Sequence, residues 1–296
     1  MKRIGLILIG FLLASMPVRA GEAGVKQTIA YLQKLQTPTG GFLPQAPAPN
    51  IRIAPTLRAT ASAVRALHYF GADIPNKDAC IKYVDSCFDP KWGGFSDMPN
   101  GKPGVFETAV GLMAVVELKM PADQYVAGAV KYLSDNAKTF EEIRIAAAGL
   151  ESVKQKSAKN DEWVKEMTRL MDKDGIVGKG PGQARATGGT VVAALRLGVK
   201  LQDAGGILKV LKDGQRQNGG WGKADSEIAS DLETTYRVMR CFVMLKARPA
   251  NVEGVRSFVA KCRNEDGGYG VAPGQTSSVS GTYFASIITH WLKQSP

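Results

Sequence analysis

Seven polar residues stand near the starts of segments otherwise built from small and apolar residues: Arg58, Glu107, Arg144, Arg185, Asp231, Glu233 and Tyr236. Guanidinium groups gathered at helix N-termini favour phosphate or carboxylate, because their N–H donors and the free backbone amides both attract negative charge. Arg58, Arg144 and Arg185 therefore form a candidate anion site. The same residues allow two other readings. The three arginines could pair with Glu107, Asp231 and Glu233 as an internal salt-bridge network, since buried charges are normally paired. Glu107 and Glu233 facing one groove would instead suit glycoside hydrolysis, which uses two carboxyl groups at a set separation. The aromatic lining expected of a sugar groove is thin, with Trp92, Trp163 and Trp221 mostly in outer turns or helices. Tyr283 and Trp291 read as core by their spacing in a buried helix.

The segments that position these residues repeat. A glycine pair followed by an aromatic residue occurs as Gly40-Gly41-Phe42, Gly93-Gly94-Phe95, Gly219-Gly220-Trp221 and Gly267-Gly268-Tyr269, with a degenerate copy at Asp174-Gly175-Ile176-Val177-Gly178. Amphipathic segments precede these turns at 25–35, 77–88, 160–171, 206–211 and 252–262, and a further one at 123–133 has lost its turn. Their apolar residues recur at three and four, as in Val25, Ile29, Leu32 and Leu35, which predicts surface helices with one buried stripe. After each comes a helix apolar nearly all round, at 56–70, 105–118, 142–153, 184–197, 231–245 and 279–292. Such helices must be buried on most sides. Thr60, Thr108, Thr187, Thr234 and Thr282 mark their starts, with Ile145 in the remaining one, at spacings of 48, 37, 42, 47 and 48 residues. Six outer helices alternating with six inner ones close into an all-α double ring, in which no end needs the polar cap of an open solenoid.

The turns Gln36-Thr37-Pro38-Thr39-Gly40-Gly41-Phe42 and Gln215-Arg216-Gln217-Asn218-Gly219-Gly220-Trp221, and the helix starts Asp231-Leu232-Glu233-Thr234-Thr235-Tyr236 and Ser280-Gly281-Thr282-Tyr283, carry a family likeness. The sequence resembles the prenyltransferase and squalene cyclase repeat superfamily, and within it the protein prenyltransferase β subunits, over nearly all of residues 21–296. The resemblance implies a single six-fold α/α toroid with a central cavity whose mouth is ringed by the inner-helix starts.

It also implies chemistry that the residues do not supply. The prenyltransferases hold zinc with an Asp and a Cys two apart just before a Tyr, and a His three before a later Tyr. Aligning Tyr236 puts Glu233 and Thr235 in the first two places, and aligning Tyr283 puts Ser280 in the third. Hydroxyls are poor zinc ligands. The Asp-x-Asp-Asp acid of terpene cyclases is absent, Asp172-Lys173-Asp174-Gly175 coming nearest, and so is the Cys-Gly-Glu-Gln run of thioester domains. Near the expected diphosphate cradle, Lys223 falls at one basic position while Glu227 or Ser230 occupies another. The expected function is therefore a non-prenylating toroid, with no metal and no cofactor called for, binding a ligand or protein partner through its cavity. The alternative is a divergent enzyme of this superfamily acting on an isoprenoid diphosphate. The expected partner is accordingly an anionic or isoprenoid small molecule, or a protein.

Charge and termini narrow the setting. The formal charge is +11, but basic residues are scattered among acids with no basic run, so no nucleic acid is expected as a partner. Met1-Lys2-Arg3, an apolar run at 4–16 and the small-x-small site Val18-Arg19-Ala20 read as an export signal over residues 1–20. The run is too short to span a bilayer. A secreted or periplasmic protein without a stable membrane span after signal removal is expected. In that setting Cys241 and Cys262 could pair, whereas Cys80 and Cys87 sit about 10 Å apart along one helix, too far for a disulfide.

Overall fold

The computed structural model describes residues 18–223 and 229–294. The sequence patterns resolve into twelve helices among these residues. The outer set is α1 (Val18–Lys34), α3 (Lys77–Ser86), α5 (Asp123–Asn136), α7 (Asn160–Arg169), α9 (Gly205–Asp213) and α11 (Val252–Lys261). The inner set is α2 (Leu57–Tyr69), α4 (Val105–Leu118), α6 (Phe140–Ser152), α8 (Gln183–Arg196), α10 (Leu232–Met244) and α12 (Val279–Gln294). Each inner helix packs on the next, and α12 packs back on α2, so the ring is closed. The fold is an α/α toroid.

Local chemistry sets the helix starts. Thr56 caps α2 by accepting the Ala59 N–H, and Thr139 and Glu142 form a reciprocal capping box on α6. The α6 box stands at the start of the inner helix whose repeat lacks the glycine turn.

The glycine-aromatic turns are joints between repeats. The first glycine has positive φ and touches the next outer helix. At Gly40 (φ +92°) a Cβ would lie 2.1 Å from the Ala79 carbonyl carbon. At Gly267 (φ +89°) it would lie 2.6 Å from the Gln27 carbonyl oxygen on α1, where the ring closes. Only glycine combines that backbone with that approach. In two of the turns a glutamine ties the same neighbour: Gln36 donates to Asn76 O and accepts from Asn76 N, both at 2.9 Å. Gln215 repeats the pair with Asn251 at 2.7 and 2.8 Å.

The threonines explain the period. The backbone N–H of the aromatic residue donates to a threonine hydroxyl on the following inner helix: Phe42 to Thr60 (2.9 Å), Phe95 to Thr108 (2.9 Å) and Tyr269 to Thr282 (3.1 Å). In the degenerate copy Val177 donates to Thr187 at 3.0 Å. In α10 the acceptor is Thr235, which takes the Trp221 N–H at 3.1 Å, rather than the Thr234 of the sequence series. Thr234 instead donates to Asp231 Oδ2 at 2.8 Å. Phe88–Asp89 (β1) and Gly94–Phe95 (β2) add one short antiparallel pair within a turn.

Closure uses contacts far apart in sequence. Thr28 Oγ1 donates to Gly267 O at 2.7 Å, and Val279 N donates to Pro44 O at 2.9 Å. Cys80, Cys87, Cys241 and Cys262 are all buried free thiols, so the Cys241–Cys262 disulfide does not form. Residues 1–17, most of the segment read from the sequence as an export signal, lie outside the described residues, as does Glu227; α1 begins at Val18, earlier than the periodicity predicts. No described helix is long and apolar enough to cross a membrane.

Candidate functional site in the central cavity

The inner ring encloses a cavity of about 360 Å³ walled by all six inner helices. Each contributes one face: α2 presents Arg58, Ala61, Ser62 and Arg65, and α10 presents Glu233, Tyr236, Arg237 and Arg240. These steps of three and four keep one side of a helix on the cavity. Val110, Met113, Ile145, Ala148 and Phe284 make the wall partly apolar.

Of the seven residues singled out in the sequence, Arg58, Arg144, Glu233 and Tyr236 line this cavity. Glu107, Arg185 and Asp231 are not in the lining. Asp231 caps α10 by accepting the Thr234 N–H at 2.8 Å. The three arginines do not converge as free cations. Arg58 binds Asp97 at 2.7 Å, with Glu107 at 3.5 Å; Arg144 binds Glu141 at 2.8 Å; Arg185 reaches Glu233 at 3.2 Å. The salt-bridge network expected from the sequence exists in part: Arg58–Glu107 and Arg185–Glu233 pair as expected, Asp97 and Glu141 join it, and Asp231 is not a member. Its centre is Arg237, held between Glu141 at 2.6 Å and Glu233 at 2.7 Å.

This network fixes protonation. Burial alone would raise the Glu141 carboxyl, but Arg237 and Arg144 outweigh it and hold it down at about 2. Glu233 is lowered likewise: desolvation is overcome by Arg237, Arg185 and Lys223. Both stay ionised.

Sequence reasoning missed the inner part of the site, which contains Arg65, Arg196, Arg237, Arg240 and Tyr283. Extending the faces of α2 and α10 from Arg58 and Glu233 in steps of three and four finds Arg65, Arg237 and Arg240. Arg196 pairs with Glu151 at 2.8 Å. Among the described residues, Arg65 and Arg240 have no carboxylate within ion-pair distance. Arg65 sits over the Tyr283 ring, 5.0 Å from its centre, and Arg240 over the Trp291 ring at 4.6 Å. Tyr283, read as core from its spacing, is thus also part of the cavity wall. The Tyr283 hydroxyl and Arg240 Nε are buried with no hydrogen-bond partner among the described residues. Beside them, burial pushes the Tyr236 phenol up, but Arg240, Arg65 and Arg196 together overcome this and draw it down to about 7.

The zinc-site positions are otherwise engaged. Glu233 is bound by Arg185 and Arg237, Thr235 holds a backbone amide, and Ser280 lines the cavity without a thiol or imidazole beside it. Among the described residues no three of His, Cys, Asp and Glu gather closely enough to hold a metal ion. The arrangement can bind an oxyanion; Glu141 and Glu233, held ionised, supply no proton.

With this geometry the chain is a closed helical toroid around a charged cavity. It belongs to the prenyltransferase alpha-alpha toroid domain family, whose model matches residues 8–78, 70–145 and 143–295. Similar solved structures include the apo type II terpene cyclase MstE from Scytonema, 10% identical with TM-score 0.59, over 93% of this chain and 98% of that one. Candida albicans protein geranylgeranyltransferase-I complexed with GGPP is 12% identical with TM-score 0.57, over 95% and 88%. A wild-type glycosidase is 11% identical with TM-score 0.61, over 95% and 100%. At these identities the likeness is one of fold. No curated protein matches the sequence.

Proposed function

We propose that this is an exported, non-prenylating toroid that binds an anionic small molecule in its central cavity. The observation that carries the reading is the pair Arg65 and Arg240, two cavity guanidiniums with no ion-pair carboxylate among the described residues, whereas Arg58, Arg144, Arg196 and Arg237 each have one. Guanidinium favours oxyanions in such a setting. The cavity volume falls at the lower end of the roughly 300–1,000 Å³ usual for small-molecule sites.

Turnover has less support. Thr235 and Ser280 stand where the prenyltransferase likeness calls for thiolate and imidazole. A glycosidase needs one carboxylic acid held protonated, whereas Glu233 is lowered by its cations and Glu107 lies outside the lining. The apolar run at 4–16 ahead of Val18-Arg19-Ala20 supports export.

The test is purified protein lacking residues 1–20, offered GGPP and simple amphipathic anions. Thermal stabilisation by anions, no stabilisation by the matching alcohols and no product by mass spectrometry are expected. Stoichiometric zinc in the purified protein, or conversion of GGPP, would overturn the reading.

A further inference from the structure

Arg65, Arg240 and Tyr283 come from α2, α10 and α12, the three adjoining inner helices at the ring's seam. Their groups act on one another: Arg65 and Arg240 both bear on the Tyr283 phenol, and Arg65 bears on Arg240. The guanidinium carbons of Arg65 and Arg240 sit over the Tyr283 and Trp291 rings at 5.0 and 4.6 Å, a cation–π arrangement that anchors both heads. Arg65 Nη1 donates only to Met113 Sδ at 3.6 Å and Arg240 Nη2 only to the Tyr236 hydroxyl at 3.5 Å, both long contacts, which leaves most of the two N–H edges for a ligand among the described residues. Buried donors without acceptors are costly in an empty site, and here two occur together, Arg240 Nε and the Tyr283 hydroxyl.

We infer that this cluster is a carboxylate-binding subsite, and that the ligand is a monocarboxylic acid with an apolar body, seated acid group first against Arg65, Arg240 and Tyr283. The inference rests on the cavity-binding reading above and sharpens it in position and chemistry. Position follows from pairing. At the first turns, Arg58 and Arg144 are already bound to Asp97 and Glu141, so the unpaired cations lie about 10 Å further along the helices, seven residues beyond Arg58 at 1.5 Å each. Chemistry follows from charge and shape. Two unpaired guanidiniums suit a carboxylate, a planar group that accepts paired N–H bonds and leaves lone pairs for a hydroxyl donor. A diphosphate brings more negative charge than the two balance. Val110, Met113, Ile145, Ala148 and Phe284 offer the apolar body its contacts.

The experiment uses protein lacking residues 1–20 and isothermal titration with decanoate, decan-1-ol and GGPP. Decanoate is expected to bind at least about tenfold more tightly than decan-1-ol, the scale of one charge-assisted hydrogen bond. Arg65→Gln and Arg240→Gln should each weaken decanoate by roughly ten- to a hundredfold. Tyr283→Phe guards against a folding artefact. It removes a hydroxyl that has no partner in the protein alone, so the melting temperature should not fall while decanoate weakens several-fold. Decanoate binding that is lost in Arg58→Gln yet indifferent to Arg240→Gln and Tyr283→Phe would overturn the subsite and leave the cavity reading standing. GGPP bound more tightly than decanoate would overturn the carboxylate assignment alone. If neither anion binds, both readings fall.

Discussion

The Thr235 hydroxyl accepts the backbone N–H of Trp221 at 3.1 Å, in a fully buried site at the head of α10. The position that the family likeness assigns to a zinc thiolate is thus occupied by a structural hydrogen bond that four other repeats share. Replacing it with an isosteric apolar residue isolates that role. Thr235→Val should cost about 1–3 kcal/mol, because the Trp221 amide is left buried without an acceptor. Urea unfolding with an unchanged m-value is the expected signature; stability within error of the parent would refute the assigned role.

The Glu141 carboxylate ties α6 to α10, and its protonation should be visible as acid sensitivity. Its folded value, about 2, lies below that of an unfolded glutamate. The stabilisation is therefore fully present above roughly pH 4–5, where the unfolded chain is also ionised, and is lost as pH falls toward 2. Because the side chain is 37% exposed, solvent screening reduces the effect, and Glu141→Gln should cost about 1–2 kcal/mol at neutral pH. The variant should also show a shallower fall in stability below pH 4.5. Parallel pH profiles for the two proteins would show that this carboxylate is not responsible.

Tyr236 should titrate far below an ordinary tyrosine. Its phenolate would neutralise Arg240 and Arg65, the cations that a carboxylate ligand needs, together with Arg196, while Glu117, Glu151 and Glu233 are the carboxylates of the same lining. The sign follows: with the folded value lowered, this group's stabilisation grows as pH rises from about 7 toward 10 and is absent below. Affinity for a carboxylate should correspondingly fall as pH rises through about 7. Phenolate absorbance near the ultraviolet edge reports the titration directly, and Tyr236→Phe should flatten the affinity profile. A profile unchanged by that substitution would assign the pH response elsewhere.

The four cysteines should remain reduced in the folded protein even in an oxidising setting. All are buried, and burial pushes each thiol up to about 12. Thiolate is the reactive form. A maleimide mass tag should add nothing under native conditions and label all four after denaturation; fewer than four labels in the unfolded, unreduced protein would reveal a disulfide.

Helix positions were legible because the inner helices bury nearly their whole circumference and the outer ones a single stripe. The predicted bounds of α4, 105–118, coincide with those observed. The threonine register slipped by one in α10 because Thr234 and Thr235 adjoin, and periodicity does not distinguish a hydroxyl that bonds a turn amide from one that bonds a cap. The site was harder to read. Arg58 and Asp97 stand 39 residues apart, and nothing local announces a partner at that distance. Arg65 and Arg240 sit in the middle of apolar helices, where an arginine reads equally as a buried cation or a long side chain reaching solvent. Only closure of the ring makes them neighbours.

That closure has a kinetic meaning. The contact between Thr28 and Gly267 joins residues 239 positions apart, and contacts of such separation form late, after the entropy of the intervening chain has been overcome. The seam between α12 and α2 is therefore the last joint of the ring, and Arg65 and Tyr283 lie on its two sides. A molecule held there acts as a staple across the joint: it binds only the completed circle, and by mass action it keeps the circle from reopening.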